Sequence, residues 1–129
     1  MQISDAEWEV MQVIWTREPR TAAEVIESLS ESRDWNHRTI RTLLARLVEK
    51  GVLTFESDGL RYIYRAAVTR ASCIRQRSQS FLSKVFGGDV NALLAHFVED
   101  GTVSKKEMEE LSRLLVAKKN SGTSRRRKP

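Results

Sequence analysis

The order of start and stop signals across the first 65 residues constrains this chain more than any other feature. In "ISDAEWEVMQVIW" Ser4 is followed three residues on by Glu7, the spacing of a capping box, and Ile3 and Trp8 stand where a hydrophobic staple needs them. Trp8, Met11, Ile14 and Trp15 are expected to form the buried stripe of this helix, which the proline of "TREPR" stops near Thr16. Thr21 and Glu24 repeat the box ahead of a second apolar face, Ala22, Val25, Ile26 and Leu29, ended by polar "SESRD". In "DWNHRTIRTLLARLVEKG" Asn36 is the cap, Trp35 and Ile40 have staple spacing, and Ile40, Leu43, Leu44, Leu47 and Val48 line one side. Gly51 follows Lys50 as a left-handed C-terminal residue should. The pattern then changes from helical to alternating in "VLTFESDGLRYIYR", a hairpin centred on Ser57-Asp58-Gly59, where Asp-Gly favours a tight turn.

Three short helices followed by a hairpin is the order of a winged helix-turn-helix. A B-DNA major groove is about 12 Å wide and admits one helix, whose early residues meet the base edges. The third helix offers Arg38, Thr39, Arg41 and Thr42 in its first two turns. Arginine presents two parallel donors to guanine, and threonine a hydroxyl and a methyl that can meet thymine. Asn36 and His37 open the helix where a phosphate is favoured, while Arg46, along with Arg61 of the hairpin, is placed to hold phosphates. The same face read as plain surface would be solvated, with Arg46 paired to Glu49. Two other functions fit the fold: an architectural DNA binder without a fixed site, and a winged-helix module whose partner is protein.

Charge supports the nucleic-acid reading through its placement. The net +5 of the 129-residue chain hides seven acidic against two basic side chains in 1–32, then seven basic against four acidic in 33–65. Nine basic against three acidic residues lie in 104–129, mostly in "AKKNSGTSRRRKP". No apolar run approaches the roughly 18 residues of a membrane span and no basic-then-apolar leader opens the chain, so no membrane insertion and a cytoplasmic location are expected. Cys73 is the only cysteine and, on an apolar helical stripe, is expected to fill space. His37 and His96 lie in different halves, and no metal-ligand, nucleotide-binding or catalytic signature joins them. Neither an enzyme nor a cofactor or metal is expected.

Beyond Val68 three more helices follow. The first, capped by Thr69, carries Ala71, Ile74, Phe81, Leu82, Val85 and Phe86 and ends at Gly87-Gly88. The second is capped by Asp89 and buried through Val90, Leu93, Leu94, Phe97 and Val98. A third starts at a Ser104–Glu107 capping box with Met108, Leu111, Leu114 and Leu115 as its stripe. About 50 residues are marginal for an independent core, and the economical cover for such broad stripes is a second copy across a two-fold axis. The expected class is mainly α: a winged helix-turn-helix DNA-binding domain over 1–67, a three-helix dimerisation domain over 68–119, and a basic, disordered tail over 120–129. Ile74, Phe81, Leu82, Val85, Leu94, Phe97, Leu111, Leu114 and Leu115 are the candidate dimer interface.

"SDAEWEVMQVIW", "DWNHRTIRTLLARLVEKG" and "ALLAHFVEDGTVSKKEMEELSRLL" resemble the penicillinase repressors of bacteria (the BlaI/MecI/CopY type). The similarity runs from Ile3 to Lys118, and the tryptophan spacing and W-x-x-x-T-I-R-T segment fall in the family's order. It implies a dimeric repressor on palindromic operators of double-stranded DNA with TACA/TGTA-like half-sites. Thr39, Ile40, Arg41 and Thr42 then correspond to the segment that enters the major groove, Arg38 replaces a common lysine, and the hairpin around Arg61 lies against the backbone. In β-lactam-responsive members a membrane-associated sensor system leads to proteolysis at an Asn-Phe bond, at whose place this chain has His96-Phe97. The copper-responsive branch uses a cysteine-rich site that a single cysteine cannot supply.

Overall fold

The capping signals act as the local chemistry dictates. In the computed structural model, which describes residues 2–125 and the side chains of 2–120, α1 (Asp5–Thr16) and α2 (Ala22–Ser32) each begin with a complete capping box. The Ser4 and Thr21 hydroxyls accept from the Glu7 and Glu24 N–H groups, and both glutamates reach back to the cap N–H at 2.9 Å. In α3 (His37–Glu49) the Asn36 Oδ1 accepts from Thr39 N–H at 2.8 Å. This helix ends in a Schellman motif: Val52 N–H donates to Leu47 C=O and Gly51 N–H to Val48 C=O, each at 3.0 Å. The motif requires Gly51, at φ +80°, to be left-handed.

The hairpin is β2 (Leu53–Ser57) paired antiparallel with β3 (Tyr62–Ala66), Phe55 opposite Tyr64. Its turn is centred one residue further on than the Asp-Gly pair implied. Beyond the Ser57–Tyr62 pair, Asp58 N–H donates to Arg61 C=O at 3.2 Å, leaving Gly59 and Leu60 at the tip, and Asp58 Oδ1 accepts from both Leu60 and Arg61 N–H. A third strand, β1 (Arg20–Thr21), pairs antiparallel with β3 and gives the sheet order β1-β3-β2. Two residues are too short to carry an alternating pattern, so nothing in the residue order marks it.

One core joins these elements. Val10, Met11 and Ile14 of α1, Val25, Ile26 and Leu29 of α2, Ile40, Leu43, Leu44 and Leu47 of α3, and Val52, Leu53 and Tyr64 of the wing are buried together. Each large aliphatic side chain so placed contributes about 1.5–3 kcal/mol. Trp8 and Trp15 are half-buried rather than central; Val10 and the carboxylate of Glu7 take the interior places on α1. Trp15 donates from its indole Nε1 to Val68 C=O at 3.1 Å, and its ring meets that of Trp8 edge-on at 5.4 Å.

The chain divides into two compact units, 1–77 and 78–129. The division falls inside α4 (Arg70–Phe86), which is continuous across it. Cys73, on the first part of α4, is buried, and that burial pushes its thiol up. The second unit holds the end of α4, then α5 (Val90–Glu99) and α6 (Lys105–Arg125). Asp89 caps α5 through Ala92 N–H, and Ser104 with Glu107 forms the expected box on α6. The final helix extends through Arg125; residues 126–129 of the basic tail lie outside the described residues.

Candidate nucleic-acid interface

Helix α3 is held from behind and open in front. Its inner face, Ile40, Leu43, Leu44 and Leu47, is in the core, so Ile40 of the T-I-R-T segment faces inward. Trp35, before the cap, packs against the same core and fixes how the chain enters the helix. Arg38, Thr39, Arg41, Thr42, Ala45 and Arg46 are all exposed and recur at helical spacing along the outer side.

The arginines of this face are uncommitted. Among the described residues, Arg38, Arg41 and Arg46 have no ion-pair or hydrogen-bond partner for their side chains, and Arg46 is not paired with Glu49. Several arginines elsewhere are engaged: Arg33 holds Glu9 at 2.5 Å, Arg77 holds Asp5 and Arg61 holds Asp58. Three free guanidiniums on one helix of about 20 Å form a row of donors with geometry for phosphate or for guanine O6 and N7. The first turn of α3 holds no acidic residue, whereas α1 begins with Asp5 and Glu7.

Asn36 and His37 are exposed at the start of this helix, with the Asn36 carbonyl oxygen committed to the cap. On the wing, Arg61 Nε donates to Asp58 Oδ2 at 3.0 Å, and this bond, with the Leu60 and Arg61 N–H groups, holds the Asp58 carboxyl below its usual range. The terminal nitrogens of Arg61 carry no partner among the described residues. The loop is thereby braced by the residue expected to touch DNA.

Sequence reading missed Tyr64. It is buried on the wing face shared with Leu53 and Phe55, and burial pushes its phenol up while the charge of Arg41 pulls it down. Exposed Phe55 and Tyr62, ring centroids 5.0 Å apart, extend this face toward the loop. The period-two alternation of both strands was the available signal for all three.

The second unit presents exposed apolar side chains among its charged ones. Phe81, Val85, Leu94, Leu111, Leu114 and Leu115 are exposed in the single chain, as is Ile74 of the first unit, while Leu82 and Phe97 are half-buried. Leu114 is 67% exposed, a large solvation cost for a leucine without cover. His96 and Phe97 lie near the end of α5, their rings 5.6 Å apart. Their carbonyls accept from Asp100 and Thr102 N–H, so the bond between them is inside hydrogen-bonded helix. Among the described residues no three His, Cys, Asp or Glu side chains are grouped as metal ligands, and no helix is long and apolar enough to cross a membrane.

Comparison with known proteins agrees with this geometry. The family model described as penicillinase repressor matches residues 3–117. The penicillinase repressor of Bacillus licheniformis is 38% identical over 119 residues, covering 92% of this chain and 93% of that protein. The methicillin resistance regulatory protein MecI of Staphylococcus aureus (strain N315) is 38% identical over 117 residues, covering 91% and 95%. Among solved structures, the DNA-binding domain of the repressor BlaI is 41% identical with a TM-score of 0.52, covering 54% of this chain and 85% of that one. The monomeric form of Bacillus licheniformis BlaI in complex with the blaP half-operator is likewise 41% identical, TM-score 0.50, covering 55% and 87%.

Proposed function

Because the chain belongs to the penicillinase repressor family, we propose that it is a sequence-specific DNA-binding transcriptional repressor that acts in the cytoplasm as a homodimer on palindromic operators. The observation that carries this reading is the row of uncommitted, exposed side chains on α3, backed by a core that keeps the helix rigid. Arg38, Thr39, Arg41 and Thr42 read base edges in the major groove; Asn36, His37, Arg46 and Arg61 hold the phosphates on either side.

The exposed stripes of α4, α5 and α6 are covered by a second copy. Two linked half-site contacts bind far more tightly than either alone, so occupancy depends on the dimer. Relief follows from cutting His96–Phe97 in response to a membrane-associated sensor protease. The cut separates α6 from its neighbours, and the bond becomes available only when the end of α5 opens locally. The role is binding, with no chemistry on the DNA.

Selection of bound fragments from random-sequence duplexes tests the proposal. A palindrome is expected, and Arg41→Ala should cost about 1–3 kcal/mol on it and relax one base position in each half. Equal weakening on selected and random DNA would point to an architectural binder. An affinity indifferent to added salt would point to a protein partner, because release of counterions makes phosphate binding steeply salt-dependent.

A further inference from the structure

The first turn of α1 is held by two cations from different elements, Lys50 at the end of α3 and Arg77 on α4. Lys50, the C-cap of the recognition helix, donates from Nζ to Glu7 Oε1 and to Gln2 C=O, both at 2.6 Å. Arg77, on α4, donates from Nη1 to Ile3 C=O at 2.8 Å and from Nη2 to Asp5 Oδ1, and its guanidinium lies over the Trp8 ring at 5.3 Å. Five of the seven residues from Gln2 to Trp8 thus hold either the end of α3 or the beginning of α4.

The rest of the α1–α4 seam extends the same contact. Arg70 Nε donates to Gln12 Oε1 at 3.1 Å, and Cys73 is buried between Arg70 and Arg77 in sequence. Arg70, Cys73 and Arg77 are spaced three and four residues apart, so they share one face of α4. Their partners run the other way along α1, from Gln12 back to Asp5. Seven residues on each helix, about 10.5 Å, match in antiparallel register. An isolated ion pair as exposed as Arg77–Asp5 contributes little by itself. A guanidinium that also holds a backbone carbonyl and covers an indole has its direction fixed.

We propose that Arg77 is a positioning residue for operator spacing: with Lys50 it fixes the recognition helix and the first two turns of α4 to a common anchor. Arg77 touches no base or phosphate in this scheme. It sets the direction in which the first two turns of α4 leave α1 within the first unit. This inference rests on the proposed reading of a dimer on a palindrome.

The test uses the full chain, wild type and Arg77→Met, with Arg77→Lys as the conservative variant and Arg70→Met/Arg77→Met as the fuller release. The probes are the palindrome that the wild type selects, one isolated half of it, and versions with the centre lengthened or shortened by single base pairs up to about 5, half a helical turn. Wild type is expected to prefer one spacing and lose on the order of tenfold for each change of about 2 base pairs. Arg77→Met should bind the isolated half unchanged, lose affinity for the palindrome several-fold, and show a flattened or displaced spacing optimum. The double variant should flatten it further, and Arg77→Lys should restore part of it. If both Met variants keep the wild-type spacing profile at full dimer mass, the inference is overturned. A fall on half-site and palindrome alike, with unchanged spacing preference, would mean that Arg77 only stabilises the fold, and also overturns it. If wild type binds the palindrome no better than its half, the underlying functional reading has failed instead.

Discussion

Removing the Lys50 ammonium should damage the winged unit more than an exposed lysine normally would. Glu7 is 1% exposed and the only charged side chain buried among the described residues, while the Lys50 side chain is 33% exposed. Burial pushes the Glu7 carboxyl upward, but the Lys50 ammonium and the Ser4 N–H together outweigh it and hold the carboxyl below its usual value. Stripping one partner from a fully buried pair costs about 3–5 kcal/mol. Here water can reach the vacated position along the exposed part of Lys50, so Lys50→Met should cost about 2–3 kcal/mol. Glu7→Gln alone keeps the capping box and should cost about 1 kcal/mol. In the Lys50→Met background the same change removes a stranded charge and should be neutral or stabilising, a coupling of at least about 1 kcal/mol. Urea unfolding followed by tryptophan fluorescence is the assay, because Trp8, Trp15 and Trp35 all lie in the first unit. At a slope of about 1–3 kcal/mol per molar, Lys50→Met should lower the midpoint by about 0.7–3 M with the slope unchanged. If Glu7→Gln costs the same with and without Lys50, to within about 0.5 kcal/mol, the buried-pair reasoning is refuted.

Acid should act on the same pair. The folded-state pKa of Glu7 lies below its ordinary value of 4.5, so its contribution is complete above that pH and is lost as pH falls through the folded value. Glu24 and Asp58 are depressed too, by the Thr21 N–H and by Arg61 respectively, and lose stability in the same direction. Comparing the acid-side slopes of wild type and Glu7→Gln isolates Glu7: the variant should be flatter, and parallel curves would count against the assignment. Leu114→Asp should leave the urea midpoint of the first unit unchanged but halve the mass seen by sedimentation, with an affinity loss on the palindrome of about a hundredfold. A variant that still sediments at twice the chain mass would remove Leu114 from the interface.

The legible part of this protein was local. Ser4, Thr21, Asn36, Asp89 and Ser104 each cap a helix where the sequence placed them, because a cap involves residues three apart and needs no other part of the chain. The outward row Arg38, Thr39, Arg41, Thr42 and Arg46 was legible for the same reason: four leucines and isoleucines at helical spacing leave only one side for them. The hairpin was legible as a hairpin, but the centre of its turn was not. That centre follows from the bond between Asp58 N–H and Arg61 C=O and from the bonds the Asp58 carboxylate accepts from Leu60 and Arg61.

By itself, then, the sequence determined where helices start and stop and which side of each is apolar, since these depend on hydrogen bonds and side-chain spacing within a few residues. Only the tertiary structure decided which charges would be paired within the protein and which left unpaired on its surface. Lys50 finds Glu7 across 43 positions and Arg77 finds Asp5 across 72, whereas Arg38, Arg41 and Arg46 find no partner among the described residues. Ion pairs have no periodicity to announce them; they form where packing of the apolar faces carries two distant side chains together. β1 pairs with β3 for the same reason, brought alongside it by helices whose own boundaries were already written in the chain.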